Sequence, residues 1–248
     1  SINGGYVWYY MPDFSRQWGE MEAYKTMIWM QGAGTIGMGH LFLDAYRATQ
    51  NEYYYQAAQK AAAAVIAMED KSIAKKLQTV FNSGLFRVYT NSDVVGCEIC
   101  GALKNIVAIA AGMGDGANAG ENTRSALITR GLSELTRLGM AMGGKQRTFA
   151  GLAGLGDLIA TCSSTKSRNH HVGFQLGQGK SLEQIIEEMN EVAEGVKTAK
   201  VVVELAKDYN IDMPISQEIY KVLYEENTVN DAFRGLLRYE IGSEKEPG

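Results

Sequence analysis

The stretch FRVYTNSDVVGCEICGALKNIVAIAAG, residues 86 to 112, decides how the rest of the chain is read. Its first part, Phe86 to Gly96, reads as an extended segment ending in a turn. From Ile99 to Met113 every residue is apolar or small except Lys104 and Asn105. A helix that is apolar on every side is buried on every side, and a lysine inside it is costly unless it is paired. Two readings of Lys104 stay open from the pattern alone. It is either an ion-paired or snorkelling lysine near a helix end, or one whose burial favours the neutral form and fits it for proton transfer.

A second cluster lies downstream in GLAGLGDLIATCSSTKSRNHH, residues 151 to 171. Gly151, Gly154 and Gly156 punctuate a turn ending at Asp157. Thr161, Ser163, Ser164, Ser167, Arg168 and Asn169 then crowd donors into nine residues. Ser167 or Asn169 can cap the helix that follows. Backbone N–H groups at a helix start, beside a guanidinium fork, suit a phosphate; a solvated, capped loop is the simpler alternative. His170 and His171 are adjacent, so on a helix they point apart and form no metal pair, and His40 is isolated. No metal site is expected.

Between and beyond these clusters the patterns are helical. In ENTRSALITRGLSELTRLGMAMGG, Ile128, Leu132, Leu135 and Met142 share a face. The preceding GMGDGANAGEN, residues 112 to 122, lacks calcium-loop spacing and reads as a turn with Asn118 or Gly120 near the next helix start. Ser181 and Gln184 have the spacing of a capping box. VKTAKVVVELAKDYN reads as a helix ending at Asn210, followed by QEIYKVLYEE and DAFRGLLRYE. Six or so helices over this length can bury a real core.

Upstream the composition changes. All three tryptophans and eight of thirteen tyrosines fall in the first 55 residues, and only Lys25 and Lys60 precede residue 71. The change suggests a junction there, with segments 1–70 and 71–248. In the first segment, MGHLFLDAYRA and the alanine-rich NEYYYQAAQKAAAAVIAMED, which starts at the good N-cap Asn51, read as a helix hairpin. QGAGTIGMGH, residues 31 to 40, carries the glycine spacing of a dinucleotide turn. That fingerprint requires strand, glycine turn, helix and strand. The acid at the right distance, Glu52, opens the alanine-rich pattern instead, so no complete Rossmann domain is expected.

The chain has 248 residues, 46% hydrophobic and 21% charged, with a net charge of −4. This balance gives no reason to expect nucleic acid or an anionic membrane as partner, and no uninterrupted apolar run approaches the roughly 20 residues of a membrane span. Cys97, Cys100 and Cys162 make no disulfide framework. Reduced thiols in a cytoplasmic setting are the default. The start at Ser1, without an initiator methionine, reads as a fragment or trimmed chain.

From about Lys71 to Ile241 the chain resembles the C-terminal domain of NAD-dependent sn-glycerol-3-phosphate dehydrogenase. The matching stretches are FRVYTNSDVVGCEICGALKNIVAIAAG, NTRSALITRGLSELTRLG, TFAGLAGLGDLIATCSSTKSRN, VAEGVKTAK and MPISQEIYKVLY. The resemblance implies an all-α substrate domain of the 6-phosphogluconate-dehydrogenase C-terminal type. It implies Lys104 as proton acceptor at the C2 hydroxyl, with Asn105 beside it, and Asp157 and Thr161 as polar partners. Ser167, Arg168 and Asn169 would bind the glycerol phosphate, and Arg168 and Glu194 would face the NAD or NADP. It further implies sn-glycerol 3-phosphate or dihydroxyacetone phosphate as ligand, a role in glycerol-3-phosphate metabolism and phospholipid biosynthesis, and allows a homodimer. With the main cofactor domain expected to be missing, the chain alone is expected to have very low or no dehydrogenase activity.

The first 70 residues resemble part of an (α/α)-toroid protein related to pectic-acid lyases. That offers carbohydrate binding through the clustered Tyr and Trp as the alternative function.

Overall fold

The computed structural model describes residues 9–10, 17–18, 28–31, 63–82, 87–189 and 193–237. The chain divides into two compact units, Ser1–Glu98 and Ile99–Gly248.

The described part of the first unit is a sheet with a helix. Strands β1 (Tyr9–Tyr10), β2 (Gln17–Trp18), β3 (Ile28–Gln31) and β4 (Ala63–Ala67) are followed by helix α1 (Lys71–Phe81) and strand β5 (Arg87–Asn91). Their order in the sheet is β2-β1-β3-β4-β5. β4 and β5 pair in parallel through the α1 crossover, and the other pairs are antiparallel. Residue 70, where the change of composition suggests a junction, lies inside this β–α–β unit. Asp70 caps α1, its carboxylate accepting from the backbone N–H of Ser72 and Ile73 at 2.8 and 3.0 Å.

The alanine-rich helix expected from Asn51 is therefore wrong over Ala63–Ala67, which is a strand. Ala64, Val65, Ile66 and Ala67 are all buried. A strand covered on both faces shows no polar–apolar alternation, and its apolar run cannot be told from a buried helix. Residues 51–62, the helical pattern at 38–48, and the glycine turn at 32–37 lie outside the described residues. The strands flanking that turn are informative. β4 does follow it, but it runs antiparallel to β3. A dinucleotide fingerprint joins parallel strands.

Among the described residues from Ile99 onward, regular structure is entirely helical, as expected for the all-α domain. Helix α2 (Val94–Gly116) begins earlier than the sequence suggests, straight after a short turn. Asp93 starts it, accepting the Gly96 N–H at 3.0 Å. There follow α3 (Glu121–Ala141), α4 (Gln146–Phe149), a π-helical turn (Leu152–Gly156), α5 (Asp157–Ser163) and α6 (Arg168–Gly177). The chain continues through α7 (Leu182–Glu188), α8 (Glu194–Asp208), α9 (Pro214–Tyr224) and α10 (Val229–Leu236). Gly120, at φ 85°, begins α3 as the turn reading anticipated. Ser181 and Gln184 form the expected capping box of α7.

α2 is the axis of the core. In length and apolarity it matches a membrane span, yet 67% of its most apolar window is buried inside the protein. Leu103, Ile106, Ile109 and Met113 pack with Leu135 and Leu138 of α3, Val172 of α6, Val202 of α8 and Ile219 of α9. The buried face of α3 is rotated from the expected one. Leu127, Gly131, Glu134, Leu135 and Leu138 are buried, while Ile128, Leu132 and Met142 flank the core.

The contact of α2 with α6 is made backbone to backbone. A Cβ on Gly112 would lie 2.1 Å from the His170 carbonyl oxygen, and one on Gly116 would lie 2.1 Å from that of Phe174. Reciprocally, a Cβ on Gly173 would lie 2.0 Å from the Ile109 oxygen, and one on Gly177 would lie 2.5 Å from that of Met113. Glycine at i and i+4 on both helices lets them run side by side in the same direction.

Candidate functional site

Lys104 projects from the middle of α2 and reaches a carboxylate. Its Nζ lies 2.6 Å from Oδ2 of Asp157, the first residue of α5. The two side chains keep 20% and 24% of their surface exposed, so a small molecule can reach the pair. The π-helical turn sets the position of Asp157. Its close winding depends on Gly154, where a Cβ would sit 2.0 Å from the Phe149 carbonyl oxygen. Such turns often lie at functional sites.

Asn105, the next residue, is buried and faces two other helices. Its Nδ2 donates to Oε2 of Glu194 at 2.9 Å, and its Oδ1 accepts from Nδ2 of Asn169 at 3.0 Å. Asn169 in turn accepts the backbone N–H of Gly195 on its Oδ1, at 2.8 Å. A backbone N–H can only donate, so this contact fixes the Asn169 amide, which fixes the Asn105 amide, which presents a donor to the Glu194 carboxylate. The circuit requires glycine at 195, where a Cβ would lie 2.7 Å from Asn169 Oδ1 and 2.8 Å from the Asn105 carbonyl oxygen.

Ser167 is the cap of α6, its Oγ accepting from the His170 N–H at 3.3 Å. Arg168 is exposed at the first position of that helix. Ser167, Arg168 and Asn169 thus share one helix start, where backbone N–H groups and the helix dipole favour an anion. The Thr161 hydroxyl donates to the backbone oxygen of Asp157, one turn earlier in α5, at 2.7 Å.

Five of the eight residues singled out in the sequence (Lys104, Asn105, Asp157, Asn169 and Glu194) are joined by these direct bonds. Cys162 is buried nearby, and burial pushes its thiol up to about 12 even though Lys104 pulls it down. That excludes it as a nucleophile at neutral pH. Among the described residues no group of three His, Cys, Asp or Glu is arranged to hold a metal.

Two features escaped the sequence reading. His170 is buried, and its Nε2 lies 2.8 Å from Oδ2 of Asp115, which also accepts from Arg124 at 2.9 Å. Glu134 is buried among apolar residues and accepts from the N–H groups of Ile215 and Ser216 and from the Ser216 hydroxyl. A non-aliphatic residue on the apolar face of α3 was the only signal for the second. For the first, the acid within the glycine-rich turn at 112–122 was the cue.

The class of this helical domain, a dehydrogenase C-terminal domain, is shown by comparison with known proteins. Residues 93–234 match the family described as NAD-dependent glycerol-3-phosphate dehydrogenase C-terminus, and the chain belongs to that family. It is 56% identical over 191 residues to a glycerol-3-phosphate dehydrogenase [NAD(P)+] of Sphingopyxis alaskensis, covering 77% of this chain and 57% of the relative. It is 55% identical over 184 residues to one from Mycobacterium bovis, covering 74% and 54%. The crystal structure of glycerol-3-phosphate dehydrogenase from Coxiella burnetii superimposes with a TM-score of 0.70 at 39% identity, covering 74% of this chain and 57% of that one. The chain spans just over half the length of the curated relatives it matches. The carbohydrate-lyase reading of the first segment gains no support from these comparisons.

Proposed function

We propose that this chain provides the substrate-handling half of an NAD(P)-dependent sn-glycerol-3-phosphate dehydrogenase, which interconverts sn-glycerol 3-phosphate and dihydroxyacetone phosphate. The observation that carries the reading is the reachable Lys104–Asp157 pair, with the chain neighbour of Lys104, Asn105, bonded to Asn169 at the start of α6. Arg168 and the first turn of α6 would take the phosphate. That would place the C2 oxygen toward Lys104 Nζ, which exchanges the hydroxyl proton while Asp157 holds the ammonium. Fixing both ends of so small a molecule is what orients its reacting carbon.

A nicotinamide dinucleotide, when bound, supplies the hydride exchange at C2. Within this domain Arg168 and Glu194 would face it. Arg168 is exposed, and Glu194 is half-buried at the first position of α8 with one oxygen engaged by Asn105, so both can present polar atoms to a ligand. The family ties support a cytoplasmic protein, a setting that keeps the buried thiols of Cys97, Cys100 and Cys162 reduced, and a homodimer is compatible with this reading.

The test is calorimetric titration of the purified chain with sn-glycerol 3-phosphate and with dihydroxyacetone phosphate. Binding is expected, and Arg168→Ala should weaken it roughly ten- to hundredfold, the range for a lost hydrogen bond to a charged group. Lys104→Ala should keep most of the phosphate-driven affinity but abolish any NADH oxidation that dihydroxyacetone phosphate elicits. No binding of either ligand would sink the reading.

A further inference from the structure

His170 takes no part in the chemistry proposed above, yet its side chain is buried and paired with a neighbouring helix. Its side chain is 8% exposed, against 18% for Asp115, whose Oδ2 it meets at 2.8 Å. A carboxylate can only accept, so the Nε2 of His170 carries the hydrogen in this contact. The same Asp115 oxygen takes Nη1 of Arg124, and a second nitrogen of Arg124 reaches Glu121 at 3.1 Å. Asp115 lies in the last turn of α2, while Glu121 and Arg124 lie in the first turn of α3. Three helices therefore meet at the Asp115 carboxylate.

The place of this imidazole in α6 gives the contact its consequence. His170 is the third residue of the helix. Its own N–H is taken by the Ser167 hydroxyl, and its carbonyl oxygen presses against Gly112. Arg168 and Asn169 sit between the Ser167 cap and this anchor. The glycine contacts fix how closely α6 approaches α2, but glycine presents no side chain that resists rotation of α6 about its axis. The directional Nε2–Asp115 bond supplies that resistance on one side, and the Asn169–Asn105 bond supplies it on the other.

We infer that His170 is a positioning residue for phosphate recognition: through Asp115 it sets the rotation of the first turn of α6, and so the direction in which Ser167 and Arg168 are presented. The inference rests on the glycerol-phosphate reading for the identity of the anion, but not for the anchoring itself.

The two are separated by measuring His170→Ala, His170→Gln and Glu134→Ala in the full chain. A glutamine amide can present a donor near the position of the imidazole Nε2, so it should restore what alanine removes. Glu134→Ala is the stability control, because it disturbs α9 and not α6. Without ligand, hydrogen–deuterium exchange of the amides at 169–172 is expected to accelerate in His170→Ala, return toward the parent in His170→Gln, and stay unchanged in Glu134→Ala. With sn-glycerol 3-phosphate, His170→Ala should lose on the order of tenfold in affinity, the lower end of what a lost hydrogen bond to a charged group costs. His170→Gln and Glu134→Ala should stay within about twofold of the parent.

Unchanged exchange in His170→Ala overturns the inference, as does an affinity equal to the parent's or a loss that glutamine does not restore. If the parent chain binds no glycerol phosphate while the exchange pattern changes as stated, the anchoring of α6 is supported and only the assignment of the ligand fails.

Discussion

Glu134 shows how much one side chain can decide. α9 begins at Pro214 without a capping side chain of its own. The Glu134 carboxylate, eighty residues earlier in the chain, accepts from Ile215 N–H at 2.6 Å and from Ser216 N–H at 3.1 Å in place of a cap. Burial pushes its carboxyl up to about 7, against the pull of those hydrogen bonds and of Arg137. A carboxyl whose folded value is raised binds more protons in the native state than in the unfolded one. Its favourable contribution is fully present below the ordinary carboxylate value and is lost as pH rises through about 7. Urea denaturation at pH 5 and pH 8 should therefore show a pH-dependent loss on the order of 3 kcal/mol from this group, and Glu134→Gln should flatten it. Glu134→Ala, which leaves the α9 donors unanswered in an apolar setting, should cost about 2–4 kcal/mol at pH 5 and markedly less at pH 8, where the parent has already lost the contribution of this group. A profile as steep in the glutamine variant as in the parent would contradict the assignment.

At the scale of elements, the contact between α2 and α6 is the most demanding feature. The glycines on α2 are not equivalent. A Cβ on Gly112 would collide with the His170 backbone, whereas one on Gly114 would meet Leu127 Cδ1 at 3.5 Å, an ordinary contact. Gly112→Ala and Gly173→Ala should each destabilise by about 1–3 kcal/mol or more, since backbone must move. Gly114→Ala should be neutral or stabilise by up to roughly 1 kcal/mol through helix propensity. Thermal melts of the three variants would check the contrast. None of this was visible in composition, because a glycine in a helix reads the same whether or not a neighbour lies against it. The buried character of α2, the turn at Gly120, the capping box at Ser181 and the Ser167 cap were visible, because each rests on local spacing. β4 was not, since its strand character comes from being sandwiched in a sheet whose other members are distant in sequence. The candidate residues were legible through family resemblance, while their bonding was not. That Asn105 would face Asn169 and Glu194 depends on the rotation of whole helices.

Over the whole molecule, α2 runs through the division between the two units, with Cys97 on one side of it and Cys100 and Cys162 on the other. All three thiols are buried, and burial pushes Cys97 and Cys162 up to about 12. At pH 8 a thiol-specific reagent should label the native chain slower than the unfolded chain by on the order of a thousandfold or more, because so little thiolate is present. Under increasing urea, the labelling of Cys97 and of Cys162 would each report the opening of its own unit. Rapid labelling of Cys162 without denaturant would show that the lysine-bearing site is looser than its packing implies. The character of α2 has a further consequence for biogenesis. It leaves the ribosome as a segment apolar enough for a bilayer, and residues that cover it, Ile215, Ile219 and Leu223, come about a hundred positions later. During synthesis the nascent chain must carry a membrane-like segment that is only partly covered, and products that terminate ahead of α9 should be clients for chaperones and seeds for aggregation.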